Sequence, residues 1–122
     1  MDGRNHNPKK PNFFIVGAPK CGTTSLYNWL NQHPEIFLPH PKEPKFFGGD
    51  FHLEEDQRNK EPNYFKYRRT EDYLQLYKNA KEDVLGDSST YYLFSKYAPQ
   101  EIKEFSPDAK IIIIIREPTS FL

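Results

Sequence analysis

Five consecutive isoleucines, residues 111–115 in "AKIIIIIRE", constrain this chain more than any other feature. Successive side chains of a strand point to opposite faces, so an unbroken aliphatic run has no wet face to offer. Isoleucine is also β-branched and packs better in a strand than in a helix. The run is therefore predicted to lie at the centre of a parallel sheet covered by helices. A second run, "NFFIVGA" at 12–18, has the same character and stops at Gly17. Helix-like stretches lie between the two, so the expected architecture is α/β, with a parallel sheet between layers of helix.

The opening unit reads as strand, glycine loop and helix, the start of a βαβ fold. The predicted helix runs from Thr23 to Gln32, with Leu26, Trp29 and Leu30 as its apolar stripe, and His33-Pro34 ends it. Prolines at 34, 39, 41 and 44 make residues 34–47 an extended, stiff connector. Residues 48–69 are polar with scattered aromatics and read as a surface excursion. Thr70 is placed to cap a helix over about 71–80, turning Tyr73, Leu74 and Tyr77 inward. "DVLGDSS" reads as a short strand, and "APQEIKEF" as a helix with Pro99 in its first turn. A central parallel strand needs a following helix to cover it. Six residues follow Arg116, so the fold is expected to be incomplete: a polar arm over 1–12, then part of a domain over 13–122.

Seventeen basic residues balance seventeen acidic ones, so no global field favours nucleic acid or a membrane surface. No stretch approaches the roughly 18 apolar residues of a membrane span, and the first residues lack the apolar core of a secretory signal. Cys21 is the single cysteine, which permits no internal disulfide and points to a reducing compartment, the cytoplasm.

The chemistry is concentrated in "IVGAPKCGTTSLYNWL", residues 15–30. Gly17 and Gly22 have the G-x-x-x-x-G spacing of a phosphate-binding loop. In an ATP-binding loop a lysine follows the second glycine and reaches the terminal phosphates. Here that position is Thr23, and the lysine is Lys20. Backbone N–H groups at a helix start, with the hydroxyls of Thr23, Thr24 and Ser25, still make an anion cradle. A lysine on the loop's shoulder suits a donor with a shorter tail. No metal-binding carboxylate is obvious after the apolar strands, so no metal is expected. A plain glycine turn, an anion-binding fragment without catalysis, and an ATP-dependent kinase remain as other readings of the same residues.

These residues resemble the sulfotransferases that use 3′-phosphoadenosine 5′-phosphosulfate (PAPS). The likeness rests on Pro19 to Leu26, on "KEPKFF" at 42–47, on "GDSSTYYLFS" at 86–95 and on "KIIIIIREP" at 110–118. It runs from about Phe13 onward and is nearest the carbohydrate and bacterial branch. It implies a fold like that of the P-loop nucleotide enzymes and sulfuryl transfer from PAPS to a hydroxyl or amine of a carbohydrate or small-molecule acceptor. It implies that Lys20, Cys21, Gly22, Thr23, Thr24 and Ser25 hold the 5′-phosphosulfate, Lys20 also acting in catalysis. Arg116 would grip the 3′-phosphate, and Glu43 would be the general base. His40 is a second candidate base, since a histidine can take a proton near neutral pH. Lys42 and Lys45 flank this segment and are read as solvated charges, with attraction of an anionic acceptor or donor as the other reading. The pattern departs at Phe121, where many relatives have a second arginine, and at Ser88, where several carry a catalytic lysine. The acceptor is not readable; Phe51, Tyr64, Phe65 and Tyr67 fit a sugar, a phenol or a lipid head equally well.

Overall fold

A computed structural model describes residues 9–40, 42–58 and 65–116. Its elements run β1 (Phe13–Gly17), α1 (Thr23–Leu30), β2 (Ile36–Phe37), α2 (Gly49–Arg58), α3 (Thr70–Gln75), β3 (Val84–Ser88), a 3₁₀ turn (Tyr92–Phe94), α4 (Ala98–Phe105) and β4 (Lys110–Ile113). The four strands form one sheet in the order β2-β3-β1-β4, with every pairing parallel.

β1 is buried along its whole length because it feeds two cores at once. Phe14 and Val16 point into a cluster with Phe47, Tyr73, Tyr77, Tyr92 and Ile102. Phe13 and Ile15 point the other way, toward Tyr27 and Leu38. The alternation of side chains along a strand thus explains the unbroken apolar run.

The isoleucine run lies elsewhere than predicted. β1 takes the central position, and β4 is at the edge of the described sheet. Ile112 packs against the Tyr27 cluster, while Ile111, Ile113 and Ile115 are 51%, 47% and 79% exposed. Among the described residues no strand lies beyond β4, and the exposure of these isoleucines shows that the run is not covered by them.

Helix α1 also turns differently from expectation. Thr23 and Tyr27 face inward, whereas Trp29 is 72% exposed. Two residues on a helix differ by about 200° of rotation, so a buried Tyr27 puts Trp29 on the far side. The Tyr27 hydroxyl donates to Pro39 O at 2.8 Å and sets that orientation. α3 begins at Thr70 itself, with Arg69 as the capping position, and ends at Gln75. Tight turns then carry the chain on to Ala80. Tyr73 and Tyr77 are fully buried, as the pattern predicted.

The excursion over 48–69 contains a ten-residue helix, α2, that composition concealed. Its start is held from a distance. Glu101 of α4 accepts from Gly48 N at 2.6 Å and Gly49 N at 3.3 Å. Asp50 accepts from Ser95 Oγ at 2.6 Å and Lys96 N at 3.0 Å. A carboxylate at a helix N-terminus satisfies open amides and the helix dipole together. The arm predicted over 1–12 falls partly outside the described residues, but its last part is bound. Pro11 is buried, Asn12 Oδ1 accepts from Leu85 N at 3.0 Å, and Lys10 Nζ donates to Phe105 O at 2.7 Å.

Gly86 sits where β3 passes the aromatic floor. A Cβ there would overlap the Phe13 ring and stand 2.7 Å from Leu38 Cδ2. Gly86→Ala is therefore expected to cost about 1–3 kcal/mol of stability by overpacking, read as a lowered urea midpoint. An unchanged midpoint would contradict this packing.

Candidate functional site

The carboxyl ends of β1, β3 and β4 open onto one edge, where ligands bind in open α/β sheets. Backbone bonds gather the loops there. Ala18 N donates to Ile114 O at 3.0 Å and Ile114 N to Gly17 O at 2.9 Å, which ties the glycine loop to the end of β4. Ser89 N donates to Ile15 O at 3.1 Å and ties in the end of β3.

The loop enters α1 through two left-handed residues, Lys20 at φ 63° and Gly22 at φ 92°. Glycine accepts that conformation readily, but lysine does so at a cost of about 1–2 kcal/mol. Strain of this kind concentrates at functional loops. Gly22 caps α1 without a side-chain bond, and no acidic residue occupies the first turn. The first intrahelical bond is Leu26 N to Gly22 O, so the amides of residues 23–25 precede any helical acceptor. Lys20, Gly22, Thr24 and Ser25 are exposed around this opening, whereas Cys21 and Thr23 are buried. Cys21 and Thr23 thus sit low against the fold, with Thr23 as the first residue of α1.

Arg116 comes back to the same place. Its Nη1 lies 3.5 Å from Lys20 O, a long contact that sets the guanidinium against the loop. The cation at the end of the isoleucine strand and the anion cradle after β1 therefore stand side by side.

Glu43 approaches from the proline-rich connector. Pro39 and Pro44 are fully buried; Pro41 lies outside the described residues. Glu43 Oε1 accepts from Thr90 N at 3.1 Å and Thr90 Oγ1 at 3.2 Å, just past the end of β3. Glu43 Oε2 faces Lys42 Nζ at 3.6 Å. Lys42 is more enclosed than a solvated charge: its side chain is 23% exposed, and Nζ lies 5.9 Å from the centre of the Tyr27 ring. Lys45 takes a left-handed turn at φ 60°, with its carbonyl 3.0 Å from His52 Nε2. Burial is the main force pushing the His52 pKa down, so the ring favours its neutral form. His40 is exposed in a separate hollow with Tyr27, His33 and Glu82.

Sequence reasoning missed the polar cluster beneath these residues. Asp87 is fully buried and accepts from Tyr73 OH at 2.5 Å, Tyr92 OH at 2.7 Å and Ser89 Oγ at 2.7 Å. Burial raises its pKa to about 6 against the pull of those hydrogen bonds. Burial first, then the charge of Asp87, pushes the Tyr73 and Tyr92 phenols well above 10. The only signal for this cluster was the run of polar residues, "DSST", ending a strand. Ser88, in the same run, is buried with no hydrogen-bond partner for its hydroxyl among the described residues. Phe121 and Tyr64 lie outside the described residues, and no cluster of metal-ligating side chains occurs within them.

The model of the sulfotransferase family matches residues 11–122. The chain belongs to that family. It is 35% identical to the mouse bifunctional heparan sulfate N-deacetylase/N-sulfotransferase 4, over 89% of this chain and 12% of that protein. It is 28% identical to human carbohydrate sulfotransferase 15, over 92% of this chain and 26% of that protein. The crystal structure of a sulfotransferase from Alicyclobacillus acidocaldarius superposes with a TM-score of 0.75 at 38% identity, covering 86% of this chain and 44% of that one. The chain thus spans about an eighth to a quarter of these curated relatives and under half of the solved structure. The α/β fold expected from the strands is the fold of this family member.

Proposed function

We propose that this chain is the donor-binding part of a sulfotransferase that moves a sulfuryl group from PAPS to a hydroxyl or amine. A carbohydrate acceptor is favoured by the names of the relatives, with a small molecule as the other class. The observation that carries the reading is Arg116 set against the Lys20 loop at the uncapped start of α1. Two anionic ends of one nucleotide need two cationic sites within its length, and this edge of the sheet offers both. The exposed hydroxyls of Thr24 and Ser25 and the open amides of 23–25 fit a phosphosulfate.

PAPS would supply the sulfuryl group, and the chain's own residues would bind it and handle the proton. The α1 amides, with Thr24 and Ser25, would take the charge of the 5′-phosphosulfate. Lys20 would stand against the negative charge that develops as the sulfuryl group leaves, the kind of preorganised contact that contributes most to catalysis. Arg116 would hold the 3′-phosphate with its planar fork. Glu43 would take the acceptor's proton at Oε2, because Oε1 is already engaged by Thr90.

Titration calorimetry with adenosine 3′,5′-bisphosphate tests this. Arg116→Ala and Lys20→Ala are each expected to weaken binding by about 10–100-fold, the loss of a charge-assisted hydrogen bond. Variants that bind as tightly as the parent would sink the reading. Tight magnesium-dependent binding of ATP without binding of the bisphosphate would favour a kinase instead.

A further inference from the structure

Asp87 has no part in the transfer proposed above, yet it is the one fully buried carboxylate among the described residues. Burying such a group costs several kcal/mol unless its surroundings compensate. Its three hydrogen-bond donors are not equivalent. Tyr73 leads away from residues 45–47, its hydroxyl meeting Asp87 and the phenol of Tyr77. Ser89 and Tyr92 continue beyond it. Ser89 Oγ also accepts from Lys45 N at 3.0 Å, and Tyr92 OH accepts from Phe46 N at 3.1 Å and Phe47 N at 3.4 Å.

A hydroxyl has one proton to give and lone pairs to receive with. An ionised carboxylate only accepts. Asp87 therefore claims the protons of Ser89 and Tyr92, which leaves both oxygens turned toward the amides of residues 45–47. Those three amides belong to the segment that carries Glu43, two to four residues upstream. Thr90, from the same turn as Ser89, grips the Glu43 carboxylate directly. The segment after β3 thus holds both the backbone and the side chain of the "EPKFF" stretch.

We propose that Ser89 and Tyr92, whose hydroxyl protons Asp87 accepts, are positioning residues for Glu43, acting on the path of Lys45–Phe47. This rests on the reading of Glu43 as the base. Tyr73 provides the internal control. It donates to the same Asp87 oxygen as Tyr92 and is equally buried, but its hydroxyl makes no bond to residues 45–47.

The test compares Ser89→Ala, Tyr92→Phe and Tyr73→Phe. Amide hydrogen exchange in this chain, read by NMR and scaled to the β1 amides, is expected to speed up about tenfold at Lys45 in Ser89→Ala and at Phe46 in Tyr92→Phe. Tyr73→Phe is expected to leave both amides at the parent ratio. In a protein carrying the complete catalytic domain, the first two variants should lower kcat with the donor KM unchanged, and Tyr73→Phe should not. Either of the first two suffices if the other does not fold, because each cuts a different link. If Ser89→Ala or Tyr92→Phe behaves like Tyr73→Phe in exchange and in kcat, the proposal is overturned. If the exchange pattern appears as expected while Glu43→Gln retains full kcat, the Glu43 reading fails, and the catalytic meaning of Ser89 and Tyr92 fails with it.

Discussion

Glu43→Gln is expected to lower kcat for sulfuryl transfer by about 10²–10⁴-fold in a complete catalytic domain, the range for loss of a positioned general base. Glutamine has the shape of glutamate, and its amide oxygen can still accept from Thr90 N and Thr90 Oγ1. The group lost is the basic oxygen beside Lys42. Because the donor cradle lies on α1 and at Arg116, binding of adenosine 3′,5′-bisphosphate should not change. His40→Asn is expected to leave kcat at the parent value, since His40 is exposed in the hollow beside His33 and Glu82. Steady-state kinetics on the two variants decides between the bases. A slow His40→Asn beside a fast Glu43→Gln would reverse the assignment.

The second large effect is a pH dependence of stability. Asp87 has an ordinary value of 3.8 and a folded value of about 6. Burial is the leading cause, and the charge of Glu43 adds to it. The other ionisable groups facing it are the Tyr73, Tyr77 and Tyr92 phenols, which burial keeps protonated. Between the two values the unfolded chain has released the Asp87 proton and the folded chain has kept it. Stability must then fall as pH rises through that window. The contribution is fully present below about pH 4 and lost by a little above pH 6, a change of about 3 kcal/mol. Asp87→Asn carries no such proton, so its stability relative to the parent should improve by about that amount from pH 4 to pH 7. Thermal unfolding of both proteins at several pH values reads it. Taking the difference between the two removes the opposite trend of exposed acids such as Asp56, whose pKa its hydrogen bond to Arg68 lowers. A difference that stays flat across the window would show that Asp87 does not titrate there.

Taken with the positioning role proposed above, the titration of Asp87 describes a compromise. Above pH 6 the ionised Asp87 weakens the fold, and in that form it fixes the hydrogen-bond directions of Ser89 and Tyr92. A buried acid that lowers stability and orders a loop is easier to explain by what the loop carries than by packing.

What could be read from the sequence followed from the range of each interaction. β1 and β4 were visible as unbroken apolar runs, β3 as a short apolar stretch ending in polar residues, and α4 by the Pro99 of its first turn. The Lys20 loop and Arg116 were visible because each follows an apolar run in the sequence. The central place of β1 was hidden, since two continuous apolar runs look alike until strand order is known. α2 was hidden because its stability comes from Glu101 and from the Asp50–Ser95 pair, 45 or more residues apart in sequence. The Asp87 cluster gave no periodic signal: Tyr73, Ser89 and Tyr92 lie 14, 2 and 5 residues from Asp87, and the amides that donate to Ser89 and Tyr92 lie 44 and 46 residues back, at Lys45 and Phe46. A two-residue strand such as β2 has no period to detect.

The outward turn of Trp29 determines what light can report about this protein. Its indole is the only one in the chain and is already in water when the chain is folded. Its emission will change little as the core melts, and the buried phenols of Tyr73, Tyr77 and Tyr92 will carry the optical record of folding instead.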